Sequence, residues 1–257
     1  MYNMQEKICL VMPCYNEARR LDFKKLSSCG DNCFFLFVND CSTDGTLDLL
    51  KNNLNKNMFI LDLSKNSGKG EAVRRGILHL RTLPVFEQID WVGYWDADLS
   101  IPLSELNNFM LFKNTFYPKA DAIFGSRVVK LGSSIKRSYR RRIAGRLFAT
   151  LIGFTLGIVC YDTQCGAKLF RKDIVERYFK VPFVSRWIFD VELLLRMEQK
   201  NIAEYPLSEC TDVPGGSIKV SSLALTVIKD VLKLRNKHFG SIQIKPEVAT
   251  VKNEKIK

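Results

Sequence analysis

Residues 89–98 read Ile-Asp-Trp-Val-Gly-Tyr-Trp-Asp-Ala-Asp, an apolar run that ends in two carboxylates one residue apart. The run predicts a buried strand, and alternate side chains of a strand point to the same side. Asp96 and Asp98 can therefore reach one hard divalent cation where the strand opens into a loop, as in a site that holds a metal on a diphosphate. A D-x-D pair also occurs on solvated turns. Both residues are candidate ligands of Mg²⁺ or Mn²⁺, because oxygen ligands accept either ion.

Short apolar runs and helical patterns alternate around this strand. The other strand-like runs fall at residues 8–12, 34–38, 59–61 and 122–124, and the helical patterns fall at residues 45–53, 70–81 and 102–112. Such alternation predicts an α/β fold with a mostly parallel, doubly wound sheet flanked by helices. Ligands of these sheets bind beyond the carboxyl ends of the strands. We therefore expect the loops after residues 12, 38 and 95 to line one cleft.

The second half of the chain is less regular. We expect a short strand at residues 167–170, a helix at 188–199 and an amphipathic helix at 222–235. Residues 241–257 are rich in lysine and lack aromatic side chains, which predicts a loose basic tail. A length of 257 residues with 46% apolar composition suits a single domain over residues 1–240.

Positive charge is concentrated in one segment. The net charge is +12, and the stretch between Asp121 and Asp162 holds eight arginines and lysines and no acidic residue. It runs into an apolar stretch at residues 147–161, shorter than the roughly 18 to 20 residues of a spanning helix. Residues 137–161, the amphipathic segment, therefore suit either a helical insertion that faces an anionic membrane or a buried core helix. No RNA-binding signature or basic helix-turn-helix is present, so we expect no nucleic-acid partner.

The cysteines and the N-terminus indicate the compartment. The eight cysteines form no C-x-x-C pair, and only two histidines are available to complete a zinc site. We expect the cysteines to be reduced and mostly buried. Residues 1–7 are polar and lead directly into the first strand, which predicts a cytoplasmic protein without a secretory signal.

Three further loops at predicted strand ends carry polar and glycine residues. They are Pro13-Cys14-Tyr15-Asn16-Glu17, residues 39–46 and residues 66–72. Asp40 can accept the N–H of a base or a ribose hydroxyl, and Tyr15 offers a flat face for stacking. Gly68 and Lys69 allow close approach to a nucleotide at a helix N-terminus. This loop lacks the first glycine and the G-K-[ST] ending of a phosphate-binding loop, which disfavours a kinase or ATPase.

Five motifs in chain order resemble the nucleotide-sugar domain of family 2 glycosyltransferases, which have the Rossmann-like GT-A fold. They are P-x-Y-N-E, N-D-x-S-x-D-G-T, N-x-G-K-G, D-A-D-L-S and G-S-R, within residues 6–130. Two later motifs, D-T-Q-C-G-A-K-L-F at 162–170 and F-D-V-E-L-L at 189–194, resemble dolichyl-phosphate glucosyltransferases and related polyprenyl-phosphate sugar transferases. Those enzymes move one sugar from a nucleotide diphosphate onto a lipid phosphate.

The resemblance implies a role for each matching residue. Asp40 would bind the base, Asp96 and Asp98 the metal, and Arg127 a phosphate. The implied nucleotide-sugar site, in residues 6–130, comprises Pro13, Tyr15, Glu17, Asp40, Gly68, Lys69, Asp96, Ala97, Asp98 and Arg127. Residues 131–220 would form the acceptor half. The second loop begins Asn39-Asp40 where the family more often has Asp-Asp, and residues 212–219 match the family's closing G-S-K loop only loosely, through Ser217 and Lys219.

These features predict an inverting, metal-dependent transfer of a hexose from a donor such as UDP-glucose. A phosphate monoester acceptor, with a second pKa near ~6, is largely anionic at pH 7 and needs no strong base. An arginine cluster next to the apolar stretch can guide that phosphate, and it consists of Arg137, Arg140, Arg141 and Arg142. Arg140 and Arg141 are the candidates for binding it, on a protein that is peripheral to the inner face of the membrane. The alternative acceptor is a sugar hydroxyl of a lipid-linked or surface glycan. It would need a catalytic base, for which Asp162 and Asp190 are the candidates.

Overall fold

A seven-stranded sheet forms the centre of the fold. The structure, a computed structural model, describes residues 6–26, 29–213 and 220–239. Ser217, Lys219 and the predicted tail at 241–257 lie outside the described residues. The strands are β1 (Ile8–Cys14), β2 (Cys33–Asn39), β3 (Met58–Asp62), β4 (Trp91–Trp95), β5 (Ala122–Ser126), β6 (Ser134–Lys136), β7 (Ala167–Arg171), β8 (Ile202–Pro206) and β9 (Glu209–Thr211).

The order of strands in the sheet is β3-β2-β1-β4-β7-β5-β8, and β6 pairs separately with β9. Strands β1 to β4 run parallel, as do β5 and β8, whereas β7 is antiparallel to both β4 and β5. The predicted α/β fold with a mostly parallel sheet is confirmed. The sequence did not predict the reversed direction of β7, or the strands β6, β8 and β9.

Helices cover both faces of the sheet. They are α1 (Phe23–Leu26), α2 (Thr46–Asn52), α3 (Lys69–Leu80), α4 (Glu105–Phe116), α5 (Tyr139–Leu156), α6 (Val175–Phe179), α7 (Phe189–Arg196) and α8 (Val220–Phe239). Cys9 and Val11 of β1 pack into one apolar cluster, and Leu10 and Met12 pack into the other. Burial on both faces is the reason why these strands read as continuous apolar runs.

The reversed strand β7 brings its preceding loop to the functional edge of the sheet. Ala167, the first residue of β7, pairs with Trp95, the last residue of β4. A strand that ran parallel to β4 would have placed its start at the opposite edge. The D-T-Q-C-G motif therefore lies beside the D-A-D motif, although about 65 residues separate them in the sequence.

Helix α5 lies within the amphipathic segment that the sequence indicated at residues 137–161. Ser138 caps it by accepting a hydrogen bond from the backbone N–H of Arg141, and Gly157 ends it in a left-handed conformation with φ 66°. The basic residues are thus the first turns of the helix. Ala149, Ile152 and Leu156 are buried on one face of α5, which is the face that joins the core.

Two cysteines differ from the expectation that all are reduced. Cys29 and Cys33 form a disulfide across a turn, with their Cα atoms 5.8 Å apart. Cys9, Cys14, Cys165 and Cys210 are free and buried, as expected. Within the described ranges, no helix combines the length and apolar character needed to cross a bilayer.

Candidate active site

The first and second strand-end loops are joined by hydrogen bonds. The side-chain oxygen of Asn16 accepts the Thr43 backbone N–H at 2.8 Å, and the Glu17 backbone N–H donates to Thr46 Oγ1 at 2.8 Å. Asp44 accepts the Ala18 backbone N–H at 3.2 Å. Each contact satisfies a polar group that the end of a parallel strand leaves free. The loops after β1 and β2 therefore form one rigid wall of the cleft.

Asp40 joins the second loop to the third. Its Oδ1 accepts the Ser67 backbone N–H and its Oδ2 accepts the Gly68 backbone N–H, both at 2.7 Å, and the residue is buried. We predicted that Asp40 contacts the base or ribose. This stays a prediction, because each oxygen holds one N–H of the loop that begins α3 and keeps a lone pair for a second donor.

Asn39 has a partner that explains the departure from Asp-Asp. Its side-chain amide donates to Asp62 Oδ1 at 2.7 Å, and its own oxygen accepts the Ser42 backbone N–H at 3.3 Å. An aspartate at this position would set two carboxylates against each other and would lose the donor. The asparagine therefore supplies the hydrogen-bond donor that the Asp62 carboxylate, at the end of β3, accepts.

The two candidate metal ligands each have a cationic neighbour. Lys69 Nζ lies 2.5 Å from Asp96 Oδ1, and Arg20 Nη1 lies 3.7 Å from Asp98 Oδ2. Burial acts to lower the pKa of Lys69, but the charges of Asp96 and Asp190 and the hydrogen bond to Asp96 together outweigh it, so the pKa is raised. The side chains of Lys69 and Arg20 thus neutralise the D-A-D carboxylates in the protein alone.

Glu17 adds a third carboxylate to this region. Burial raises its pKa to about 7 although Arg20 acts to lower it, and the charges of Asp98 and Asp96 contribute to the increase. Glu17 Oε2 is buried, and no described residue donates a hydrogen bond to it. Carboxylate oxygens are hard ligands of the kind that Mg²⁺ and Mn²⁺ prefer. Among the residues that the structure describes, no three side chains form a complete metal site, so a diphosphate would have to supply further oxygens.

Arg127 and Asp162 form a partly buried ion pair. Arg127 Nε lies 2.6 Å from Asp162 Oδ2, Nη2 lies 2.8 Å from Oδ1, and the Arg127 backbone N–H also donates to Asp162. Burial acts to raise the pKa of Asp162, but Arg127 outweighs it and lowers the pKa to about 2. A carboxylate with so low a pKa is a poor general base at neutral pH. The contacts favour Asp162 as the residue that orients Arg127.

Arg137, the first residue of the predicted arginine cluster, lies beside this pair. Burial, and then the positive charge of Arg127, lower the pKa of Arg137. Its Nε is buried and has no hydrogen-bond acceptor among the described residues. Asp212 lies 3.6 Å from Arg137 Nε and 3.2 Å from Arg141 Nη1, whereas Arg140 is exposed on α5. Neighbouring arginines are suited to bind an anion, because each guanidinium carries several N–H donors.

Asp190, the other candidate base, lies beneath the cleft. It is buried, and its Oδ1 accepts hydrogen bonds from the Tyr94 hydroxyl and, at 2.7 Å, from Lys168 Nζ. Burial first, and then the charge of Asp190, raise the pKa of Tyr94 well above its usual range, so the hydroxyl stays a donor. These contacts disfavour proton transfer from an acceptor to Asp190.

The remaining predicted residues occupy the same edge of the sheet. Pro13 lies within β1, Tyr15 is half exposed, and Ala97 is buried between the two metal-ligand candidates. Arg186 was missed because no periodicity marks it. Its Nη2 donates to Asn66 Oδ1 at 2.7 Å, and a Cβ added at Gly68 would lie 2.7 Å from its Nε.

The chain matches a known family over most of its length. The family model described as Glycosyl transferase family 2 matches residues 9–179. The dolichyl-phosphate beta-glucosyltransferase of Saccharomyces cerevisiae is 31% identical over 249 residues, which cover 89% of this chain and 74% of that protein. The human protein of the same name is 28% identical over 257 residues, with coverage of 91% and 76%.

Solved structures show the same fold. Glucosyl-3-phosphoglycerate synthase from Mycobacterium tuberculosis, in complex with Mn²⁺, UDP-glucose and phosphoglyceric acid, superposes with a TM-score of 0.60 at 16% identity and covers 90% of this chain and 80% of that chain. The same enzyme with Mn²⁺, UDP and glucosyl-3-phosphoglycerate gives a TM-score of 0.63 with 90% and 81% coverage, again at 16% identity. At this identity the likeness supports the fold alone, and it confirms the predicted GT-A type.

Proposed function

The chain belongs to glycosyl transferase family 2, and from this we propose that it transfers a hexose from a nucleoside diphosphate sugar to the phosphate of a polyprenyl or dolichyl phosphate. The names of its relatives support this acceptor and favour glucose as the sugar. The observation that carries the proposal is the state of the two candidate bases. Neither Asp162 nor Asp190 is suited to deprotonate a sugar hydroxyl, whereas a phosphate monoester is already anionic.

The donor half, within residues 6–130, is suited to a diphosphate. A Mg²⁺ or Mn²⁺ ion held by Asp96 and Asp98 would supply the positive charge that stabilises the departing nucleoside diphosphate. The structural neighbours named with Mn²⁺ and UDP-glucose support a divalent metal with the donor here. Lys69, at the first residue of α3, and the free backbone N–H groups of that helix end provide further positive potential. The ion pair with Asp96 holds the ammonium of Lys69 beside the proposed metal ligands before the donor binds.

The acceptor half, within residues 131–220, is suited to a phosphate together with Arg127 from the end of the donor half. The family resemblance implied a donor phosphate for Arg127, and we propose the acceptor phosphate instead, because its partner Asp162 lies in the acceptor half. Arg127 is fixed by Asp162. Arg137 is close enough for the positive charge of Arg127 to lower its pKa, and its Nε, 3.6 Å from Asp212, has no hydrogen-bond acceptor among the described residues. Two neighbouring guanidinium groups bind a dianion well, because each offers several N–H donors. Arg141, partly engaged by Asp212, and the exposed Arg140 extend the positive charge from this point along α5.

Helix α5 also offers a surface for the lipid. An exposed apolar stripe consists of Tyr139, Ile143, Leu147, Leu151 and Phe154. It lies opposite the buried face of α5, and the exposed arginines Arg140, Arg142 and Arg146 flank it. An apolar stripe bordered by arginines fits the surface of an anionic membrane. The proposal therefore places the protein as a peripheral enzyme on the inner, cytoplasmic face, where α5 meets the lipid.

Labelled transfer tests the proposal. Radiolabelled UDP- and GDP-hexoses are incubated with a short polyprenyl phosphate in detergent, with Mg²⁺, with Mn²⁺ or with a chelator. We expect labelling of the lipid from UDP-glucose that requires the metal and falls at least about 100-fold in Asp98→Asn. Asp173→Asn is the matched control, because Asp173 lies beyond the opposite end of β7 and pairs with Arg171. Metal-independent labelling, or equal activity of the two variants, would contradict the proposed donor site.

A further inference from the structure

A fully buried lysine lies beneath the candidate active site. Lys168, in β7, has no exposed surface. Its Nζ donates to Cys165 O at 2.6 Å, to Asp190 Oδ1 at 2.7 Å and to Thr163 O at 3.2 Å. A buried ammonium is costly unless it is paired and hydrogen-bonded. All three donors of Lys168 are used, and two of the three acceptors are carbonyls of a single loop.

That loop, residues 162–166, contacts both halves of the site. At its start, Asp162 holds the guanidinium and the backbone N–H of Arg127. At its end, Gly166 O accepts the Asp96 backbone N–H at 2.9 Å, and a Cβ added at Gly166 would overlap the Asp96 carboxylate. The position of one short loop therefore determines where the proposed metal ligand and the proposed phosphate-binding arginine lie relative to each other.

The charge of Lys168 is matched from the neighbouring elements. Asp190 of α7 is its counterion, and Tyr94 of β4 donates to the same carboxylate oxygen. The rings of Tyr94 and Phe124 lie 5.3 Å and 5.0 Å from Lys168 Nζ. Tyr94 pairs with Lys168 across β4 and β7 and lies two residues before Asp96. The cluster thus fixes the end of β4 as well as the loop.

We infer that Lys168 is a positioning residue. Its ammonium holds the carbonyls of Thr163 and Cys165, so that loop 162–166 keeps Asp96 and Arg127 at the relative positions that transfer requires. The inference rests on the proposed function, because it gives Asp96 and Arg127 their roles. Lys168 touches no substrate in this account. Its effect passes through the loop, and a displacement of about 1 Å at a reacting group can cost on the order of 100-fold in rate.

The test uses the full chain and two variants, one that removes the charge of Lys168 alone and one that removes the charges of both Lys168 and Asp190. Lys168→Met keeps the volume but leaves Asp190 without its counterion, so this variant alone can fail by unfolding. Lys168→Met/Asp190→Asn removes both charges and keeps an acceptor for Tyr94. Lys237→Met, which breaks a contact between α8 and Glu192, is the control for general loss of stability. Thermal melting, calorimetric titration of UDP with and without Mn²⁺, and kcat and KM for transfer are measured for each protein.

We expect the double variant to fold and to bind metal-free UDP like the wild type, because the loop held by Asp40 is not altered. Its affinity for UDP in the presence of Mn²⁺ should fall at least about tenfold and its kcat about 100-fold, with little change in the control. Wild-type Mn²⁺-dependent binding and kcat in the double variant would overturn the inference, because Lys168 would then only neutralise Asp190. Absence of UDP binding or lipid transfer in the wild type would instead contradict the proposed function.

Discussion

Arg127 and Asp162 form a two-point ion pair, with contacts of 2.6 and 2.8 Å, that ties the end of β5 to the loop before β7. The geometry of the pair indicates a separate role for each residue. Asp162 holds a guanidinium in one orientation, and the remaining N–H groups of Arg127 can face an anion. A carboxylate occupied in this way and with a pKa near 2 does not accept a proton at neutral pH.

Asp162→Asn tests this assignment. The amide cannot balance the charge of Arg127 or accept its fork at both atoms, so Arg127 loses its fixed orientation. We expect KM for polyprenyl phosphate to rise about tenfold or more, with a smaller effect on kcat, in steady-state assays at saturating donor. A loss of kcat by about 1,000-fold at unchanged KM, restored by added formate, would instead identify Asp162 as a catalytic base.

Glu17 makes stability depend on pH. Its pKa is about 7 in the folded protein and near 4.5 when it is unperturbed, so the folded state holds more protons between these values. Stability should therefore fall as pH rises from about 5 to about 7 and then level off, by at most roughly 3 kcal/mol from this group. Denaturant unfolding at pH 5 and pH 8 measures the difference. Glu17→Gln should remove most of it, and an identical slope in wild type and variant would contradict the assignment.

Gly68→Ala tests the loop at the start of α3. Gly68 has a φ of 89°, and its missing side chain leaves room for Arg186. Alanine should displace the loop held by Asp40 and weaken UDP binding at least about tenfold, measured by calorimetry. Gly145→Ala is the control, because Gly145 lies in α5 with open space around it, where alanine favours the helix. Equal UDP affinity in both variants would show that this loop does not contact the donor.

The exposed stripe of α5 predicts attachment to anionic vesicles. Phe154 is 88% exposed and Leu147 is 67% exposed, and burying such side chains in the membrane interface stabilises the bound state. Leu147→Ser/Phe154→Ser should reduce co-flotation with phosphatidylserine vesicles at least about tenfold and leave transfer to a short acceptor in detergent unchanged. Phe116→Ser, at a residue 68% exposed on α4, is the control. Equal flotation of the two variants would contradict the proposed membrane face.

Much of the fold could be predicted from the sequence because its signals are local. The apolar runs of β1, β2 and β4 and the alternation with helices indicated a mostly parallel sheet, and polar residues at strand ends indicated one cleft. The direction of β7 could not be predicted, since one short strand carries no sign of its orientation. Strand β8 is a short mixed segment, Ile202–Pro206, without a clear period.

The partners of the site residues were less accessible to sequence reasoning. The sequence marked Asp40, Asp162 and Asp190 as candidate site residues, but their roles depend on partners far along the chain. Asp162 and Arg127 are 35 residues apart, and Asp190 and Lys168 are 22 residues apart. A buried lysine and an exposed one look alike in a sequence, because burial is a property of the assembled sheet. The burial and the contacts of Lys168, and the place of Arg186 beside Gly68, therefore became visible only in the fold.

A competition between two acceptors tests the central claim most directly. Radiolabelled UDP-glucose and Mn²⁺ are supplied with equal concentrations of a polyprenyl phosphate and a lipid-linked glycan, and the products are separated. We predict that label enters the polyprenyl phosphate alone and that Arg127→Gln removes it, because the proposed site binds an anionic acceptor and neither Asp162 nor Asp190 is suited to deprotonate a sugar hydroxyl. Label in the glycan with an unmodified polyprenyl phosphate would contradict the account.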